Sequence, residues 1–590
     1  MMKEVKKAIL ATVALPVALW GANVTFPGSG GDLAGEGPDD WNRSLPSVDD
    51  NVILDKSGIY TLSGNVTFKA VRPQADGIVL RFGANRLTTT GNIYGTAQNA
   101  TIVYDGGTFD LSGTGNFSPA QASVTGASAV ITNGCVVTNV GTFYATSYSS
   151  LSRAVVTGGS RIHSAKANVC HQGGSGNRLE IMGGAQVHVD ETVSFGGSGG
   201  TASAHGGSVI LVSGAGSLFH QKGGTSSSPF YIKIGNRFED DRFIVTDGAS
   251  AISDFGGVTL DKSGSELTVE KGATASFPLV YFSGSENRTT VSNGTFTCST
   301  MFSMAYTDGE AAYNPAGHSN NVFLATRPDT TVTLKGPDFF GTGHHNTIKV
   351  EDGAKLTQSG GLGQFMSQTH SSRFLISGSG TLVGKSDGYI YVASQTSADV
   401  INSVSNVVSV AAGATLQGSR MNLQGVANEL SISNATVAIM GDSTSAFTAG
   451  SRANGTTHTN NVVTLCGETP KFTISTDAKP CRFLGGSTLR FRVPVEGYAK
   501  DYVPIDLACN FMLDSTSAME LDCDEWASHT GGTLHLIKSK AFEDNSADAS
   551  GTTVARLRAT SLPPDCRLLV SSGNVYLKCP RRKGFRVIIR

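Results

Sequence analysis

Apolar and polar residues alternate with a period of two in short runs that recur along residues 102–467. The runs include IVYDGGTF at 102, AVITNGCVV at 129, AVVTGGSRI at 154, LEIMGGAQV at 179, FIVTDGASAI at 243, IKVEDGAKL at 348, FLISGSGTL at 374 and VVSVAAGATL at 407. In FIVTD, Phe243 and Val245 share one face while Ile244 takes the other, which predicts a strand with one face in a core. The helical spacing near 3.6 residues is absent.

Each run ends at a sharp turn, followed by a small residue and a second apolar strand. The turn residues stand at 107, 134, 158, 183, 214, 248, 272, 294, 327, 353, 378, 413, 434 and 467, a mean spacing of about 28 residues. Gly dominates there because a tight corner needs a positive φ, and Asn434 fits the same demand. A propeller blade needs roughly 40 to 45 residues, whereas about 28 suits one three-stranded coil. The expected fold is therefore all-β, a right-handed parallel β-solenoid of about 14 coils with an N-terminal cap and a C-terminal hairpin or sandwich-like cap. An all-antiparallel stack of sandwiches is the structural alternative. The expected divisions are a signal peptide over 1–22, a cap region over 23–95, the solenoid over 96–485, a C-terminal β domain over 486–579 and a basic tail over 580–590.

At 590 residues the chain exceeds what one compact core supports, which favours a repeat that adds core along an axis. Lys plus Arg is 45 and Asp plus Glu is 47, so no field gathers nucleic acid, and no nucleic-acid partner is expected. The N-terminus sets Lys3, Lys6 and Lys7 before an apolar run over 8–20 and the small Gly21 and Ala22, the plan of a secretory signal. That run is too short for a span of ~20 residues, so the mature chain is expected to have no transmembrane segment. The tail carries Arg581, Arg582, Lys583, Arg586 and Arg590 among apolar residues, read as a final cap strand or as a sorting signal. A secreted or surface location in a Gram-negative type of envelope follows as the expectation.

Six of the nine cysteines stand at 466, 481, 509, 523, 566 and 579. CRLLVSSGNVYLKC predicts a hairpin about Ser572 and Gly573, which sets Cys566 opposite Cys579. Local bridges are expected for Cys566 with Cys579, Cys509 with Cys523 and Cys466 with Cys481, small buried apolar thiols being the alternative. No CxxC pair is present to suggest structural zinc.

Histidines precede strand starts in GHSNNVF (His318), GHHNTI (His344 and His345), THSSRFL (His370) and THTNNVV (His458). The spacing predicts a stacked surface polar ladder of His318, His344, His370 and His458, like that of Asn177, Asn321, Asn346, Asn406, Asn428 and Asn461. A metal or glycan-contact row is the alternative. Glu239, Asp240 and Asp241 stand consecutively between Arg237 and Arg242, which predicts a solvated loop rather than a calcium or acid/base site. Glycosidases need carboxylates about 5 to 9 Å apart on one face. No nucleophile elbow and no phosphate loop occurs, so no catalytic residue, cofactor or metal is expected.

Copies such as NVVSVAAGATLQG at 406 and FIVTDGASAI at 243 resemble the parallel β-helix passengers of autotransporters and the pectin-lyase-like fold, over roughly residues 96–485. The segment from 531, closing on NVYL at 574, looks like the terminal module of autotransporter-associated β-strand repeat proteins. Residues 580–590 alone follow Cys579, so the resemblance implies a passenger-like protein without self-transport. The polygalacturonase NTD and RIK signatures are absent, RIHSAK at 161 being only superficially similar. The expected function is an exported, non-catalytic, structural or adhesin-like repeat protein, monomeric, presenting loops such as 219–240 and 299–320 to host or environmental glycans or cell-envelope components. The alternatives are a polysaccharide lyase or glycosidase on a β-helix, or a glycan-binding protein without turnover.

Overall fold

The computed structural model describes residues 22–581 apart from 36–45, 96–98, 120–125, 147–149, 170–173, 196–205, 226–227, 237–238, 305–317, 335–342, 359–361, 366–368, 385–387, 393–403, 441–445, 451–458, 478–479, 515, 545–558 and 561. The expected signal peptide, apart from Ala22, and most of the basic tail lie outside the described residues. The chain divides into two compact units, Met1–Lys222 and Gly223–Arg590. Among the described residues the regular structure of both is almost wholly strand, with the short helix Asp524–His529 in the second.

Within the first unit the strands stack in parallel, each pairing with its counterpart one repeat away. Ile78 pairs with Ile102, Ile102 with Ala129, Ala129 with Ala154, Ala154 with Leu179 and Leu179 with Ile210. The second unit repeats the scheme from Phe243 through Leu267, Thr289, Phe323, Ile348, Phe374, Val408, Leu430, Val463 and Leu489 to Met519. Parallel pairing over these lengths excludes the antiparallel sandwich alternative. It is the pattern of a chain that coils and lays each turn on the one before.

One repeat shows why the sequence folds this way. Val407–Ala411, Thr415–Gly418 and Arg420–Leu423 are three strands in succession. Val408, Val410, Leu416, Met421 and Leu423 point inward and are buried, as period-two alternation requires. Between the first two strands Ala412 and Gly413 take φ of 53° and 81°. Of the expected corner residues every one has positive φ except Gly294, where the neighbouring Asn293 takes it at 49°. From Leu362 onward, third strands form a separate seven-stranded parallel sheet that includes Tyr389–Val392, Arg420–Leu423, Phe447–Ala449 and Cys481–Phe483.

A second corner precedes the first strands, and in several coils a buried side chain there does the work of a carbonyl. The N–H groups of Ser265, Asn287 and Asn321 donate to the side-chain oxygens of Asn287, Asn321 and Asn346, each at 2.9 Å. Asn346 donates to Ser372 Oγ at 3.2 Å, Ser372 to Asn406 at 2.9 Å, Asn406 to Asn428 at 2.8 Å and Asn428 to Asn461 at 3.1 Å. Each bond crosses to the next coil, over sequence separations that range from 22 to 34 residues. In the first unit Ser152 donates to Asn177 at 3.0 Å.

Parallel pairing also runs past both boundaries drawn from the repeat. In the expected cap region Asn51 pairs with Asn23 and with Ala70, and Gly58 with Ile78, all in parallel. Beyond 485, Thr488–Arg492 pairs in parallel with Ala518–Asp522, and Phe511–Leu513 with Phe542–Asp544. Antiparallel pairing joins Arg567–Ser571 to Asn574–Cys579, which lies antiparallel to Gly532–Lys538.

Asn428→Ala removes the acceptor of the buried Asn406 N–H. It is expected to lower stability by roughly 1–3 kcal/mol, measured as a shift in the denaturant midpoint together with faster amide exchange at Asn406. Asn428→Ser is expected to lose less than half as much, because Ser372 fills the same position in its own coil. Equal losses in the two variants would count against this role for the side chain.

Candidate ligand groove

The residue before each buried Asn or Ser is the corner itself, and its left-handed conformation turns its side chain outward. Asn320, His345, Ser371 and Ser405 occupy this place in four neighbouring coils, with φ between 53° and 60°. Their N–H groups donate along the stack, His345 to the His370 carbonyl and Ser371 to the Val404 carbonyl. The first strand residues Thr347, Arg373 and Val407 follow two places later and are aligned by pairing of Thr347 with Arg373 and of Arg373 with Val407. These seven residues line an open groove of about 460 Å³.

The groove offers amide, hydroxyl, imidazole and guanidinium groups at the rise of stacked strands, about 4.8 Å per coil. Among the described residues its lining includes no carboxylate. The arrangement can hydrogen-bond a polar chain lying along the stack, with the planar Arg373 fork suited to a carboxylate or to paired hydroxyls. Beside it, His344 pairs with His370 and their rings stand 5.1 Å apart. Burial holds the His344 imidazole below its ordinary range, with His345 adding to the effect. Burial and then the His344 ring do the same to His370.

Of the expected histidine ladder, His344 and His370 are brought together and His318 is not. Ser319, not His318, bridges to His344, while His370 bridges to Val404. His318 is one residue out of register, and alternation turns it inward, where it is buried. His458 lies outside the described residues. The Asn row behaves as expected in its stacking, but it is an interior row, buried in every member.

Asp241 corrects the expectation of a solvated acidic loop, since it is fully buried while Glu239 and Asp240 are exposed. Asp240 takes the left-handed corner at φ 60°, and the Asp241 carbonyl accepts from the Glu266 N–H at 2.9 Å. Asp241 thus fills the coil position that Asn or Ser holds elsewhere. Arg237 lies outside the described residues.

Cys566 and Cys579 are joined by a disulfide across the hairpin. The other expected bridges, Cys466 with Cys481 and Cys509 with Cys523, are absent, all four thiols being free. Between Cys466 and Cys481 the chain runs through Lys471–Ile474, and between Cys509 and Cys523 through Phe511–Leu513 and Ala518–Asp522, so the cysteines of each pair stand at different strand ends. Burial pushes the Cys523 thiol up to about 11 and raises those of Cys481 and Cys509, which keeps them protonated and slow to react.

Fold and groove together define a class: an all-β protein of parallel stacked coils with a polar groove along one corner. No protein-family model matches the chain, and neither a curated protein nor a solved structure matches it.

Because their folded pKa values lie below the ordinary 6.5, His344 and His370 bind protons less readily in the folded chain than in the unfolded one. Their contribution is intact above pH 6.5 and falls as pH drops through the window below it. NMR titration is expected to give both rings midpoints below 6.5, and His345→Ala to raise that of His344. Non-reducing peptide mapping is expected to recover the link of Cys566 to Cys579, with Cys509 and Cys523 on unlinked peptides.

Proposed function

We propose that this chain is an exported, non-catalytic surface or secreted protein of structural or adhesin-like kind, and that it holds extended polyhydroxylated polymers along its coils. The observation that supports this reading is the groove: one corner position, repeated in neighbouring coils, aligns Asn320, His345, Ser371 and Ser405 beside Arg373. Hydrogen-bonding groups at a fixed rise of about 4.8 Å suit a ligand that is itself a regular chain, such as a glycan of host, environmental or cell-envelope origin.

The rest of the reading concerns form and location. Each of the two units is taken to coil in the right-handed sense, with turns continuing on both sides of the 14 corners that mark the repeat. The hairpin that carries Cys566 and Cys579 is read as the C-terminal cap. Caps of this sort keep exposed sheet edges from joining end to end, which suits a monomer. The basic run and apolar segment at the N-terminus support export, and the similarity to autotransporter passengers supports a place at the cell surface.

Purified chain is to be titrated with a panel of plant, bacterial and mucosal polysaccharides, scoring both binding and the release of reducing ends or unsaturated uronides. Binding without release is expected. Arg373→Ala is expected to weaken it roughly tenfold, as loss of a charged hydrogen-bond donor does. Turnover of any polymer would replace this reading with that of a lyase or glycosidase, and binding unchanged by Arg373→Ala would move the site elsewhere.

A further inference from the structure

A second histidine row lies in the first unit, on the exposed face of the strands that follow the Gly corners. His163 pairs in register with His188, and His188 with His220. The Nδ1 atoms of His188 and His220 are 3.2 Å apart, and their rings stand nearly perpendicular at 88°. His188 Nε2 also meets Gln186 Oε1 at 3.4 Å, and His163 Nε2 meets Asp190 Oδ2 at 3.1 Å.

We propose that His188 and His220 form a binding site for a borderline divalent transition-metal ion, Zn²⁺, Cu²⁺ or Ni²⁺, with coordination positions left open to water or an external ligand. Zinc binds imidazole nitrogen at about 2.0–2.1 Å, and two such bonds at a tetrahedral angle set the nitrogens about 3.3 Å apart. The observed 3.2 Å is already that separation. An ion therefore needs only rotation of the rings about χ2 and a change of tautomer. The Nδ1 proton now shared between the rings passes through solvent to Nε2 of the ring that carries it, so that both Nδ1 lone pairs face the ion and no net proton is lost.

His188 and His220 are both half-buried on that face. A neutral imidazole is the form that binds metal. Asp190 is engaged with His163 one coil away and leaves negative charge beside the row. Among the described residues no three His, Cys, Asp or Glu side chains converge on one point, so the pair supplies two ligands and leaves the other positions open. Imidazole pairs rank these ions with Cu²⁺ above Ni²⁺ and Zn²⁺.

The test is calorimetric titration of tag-free full-length chain with ZnCl₂, NiCl₂ and CuCl₂, together with NMR of the imidazole nitrogens. Saturable binding is expected, tightest for Cu²⁺, with the His188 and His220 resonances shifted or broadened first. His188→Gln and His220→Gln, conservative at a half-buried surface, are each expected to weaken binding more than tenfold, whereas His163→Ala and His344→Ala change it less than threefold. Unchanged affinity in both Gln variants, or metal-induced shifts confined to other histidines, would overturn the proposal. Circular dichroism of each variant separates loss of a ligand from loss of fold.

Discussion

The backbone N–H that follows each left-handed corner has to be satisfied inside the molecule. A corner residue such as Asn320 or Ser405 rotates the next N–H out of the row of strand-to-strand bonds, and the site is buried. A buried N–H without a partner costs about 1–3 kcal/mol. Several coils solve this with a side-chain oxygen borrowed from the following coil, an Asn in seven of these bonds and Ser372 in the eighth. Each such repeat is thereby tied to its neighbour at a defined height, and loops of any length can be inserted between corners without disturbing the stack. The same coil position accepts Asp241. Asn, Ser and Asp hold the position where it is polar, and Ala100 and Ala127 hold it in two coils of the first unit.

This constraint also divides the labour along the chain. The buried residue of each corner is restricted to a few types, while its exposed neighbour varies freely through Asn320, His345, Ser371, Ser405, Ala427 and Asn460. Function can change there without cost to the core. The groove is one result and the His188 and His220 pair is a parallel one on another strand. In both, stacking in register converts residues distant in sequence into a row.

Much of the fold was legible because its determinants are local. Alternation in runs such as FIVTD and the positive-φ corners at Gly248 or Asn434 depend on a handful of consecutive residues. The hairpin that pairs Cys566 with Cys579 was legible for the same reason, since its turn and register lie within one short segment. The flanks were harder. Residues 23–95 and 486–544 keep parallel pairing with weaker corner signals, and the C-terminal hairpin drew its neighbours into an antiparallel reading. The histidine row at 163, 188 and 220 did leave a trace, each His standing five or six residues after the corners at Gly158, Gly183 and Gly214.

By itself, then, the amino-acid sequence determined the strands, the corners, the repeat and the one local disulfide, all of which are settled by backbone preferences and side-chain alternation over a few residues. Only the tertiary structure decided which residues share a row. Coils of unequal length pair by long-range hydrogen bonds, so a constant spacing of 26 residues put His344 beside His370 but left His318 one place short and turned inward. The same rule set Cys466 and Cys481, or Cys509 and Cys523, on different strand ends. A one-residue change of register moves a side chain to the opposite face, and that register is fixed by the neighbouring coil.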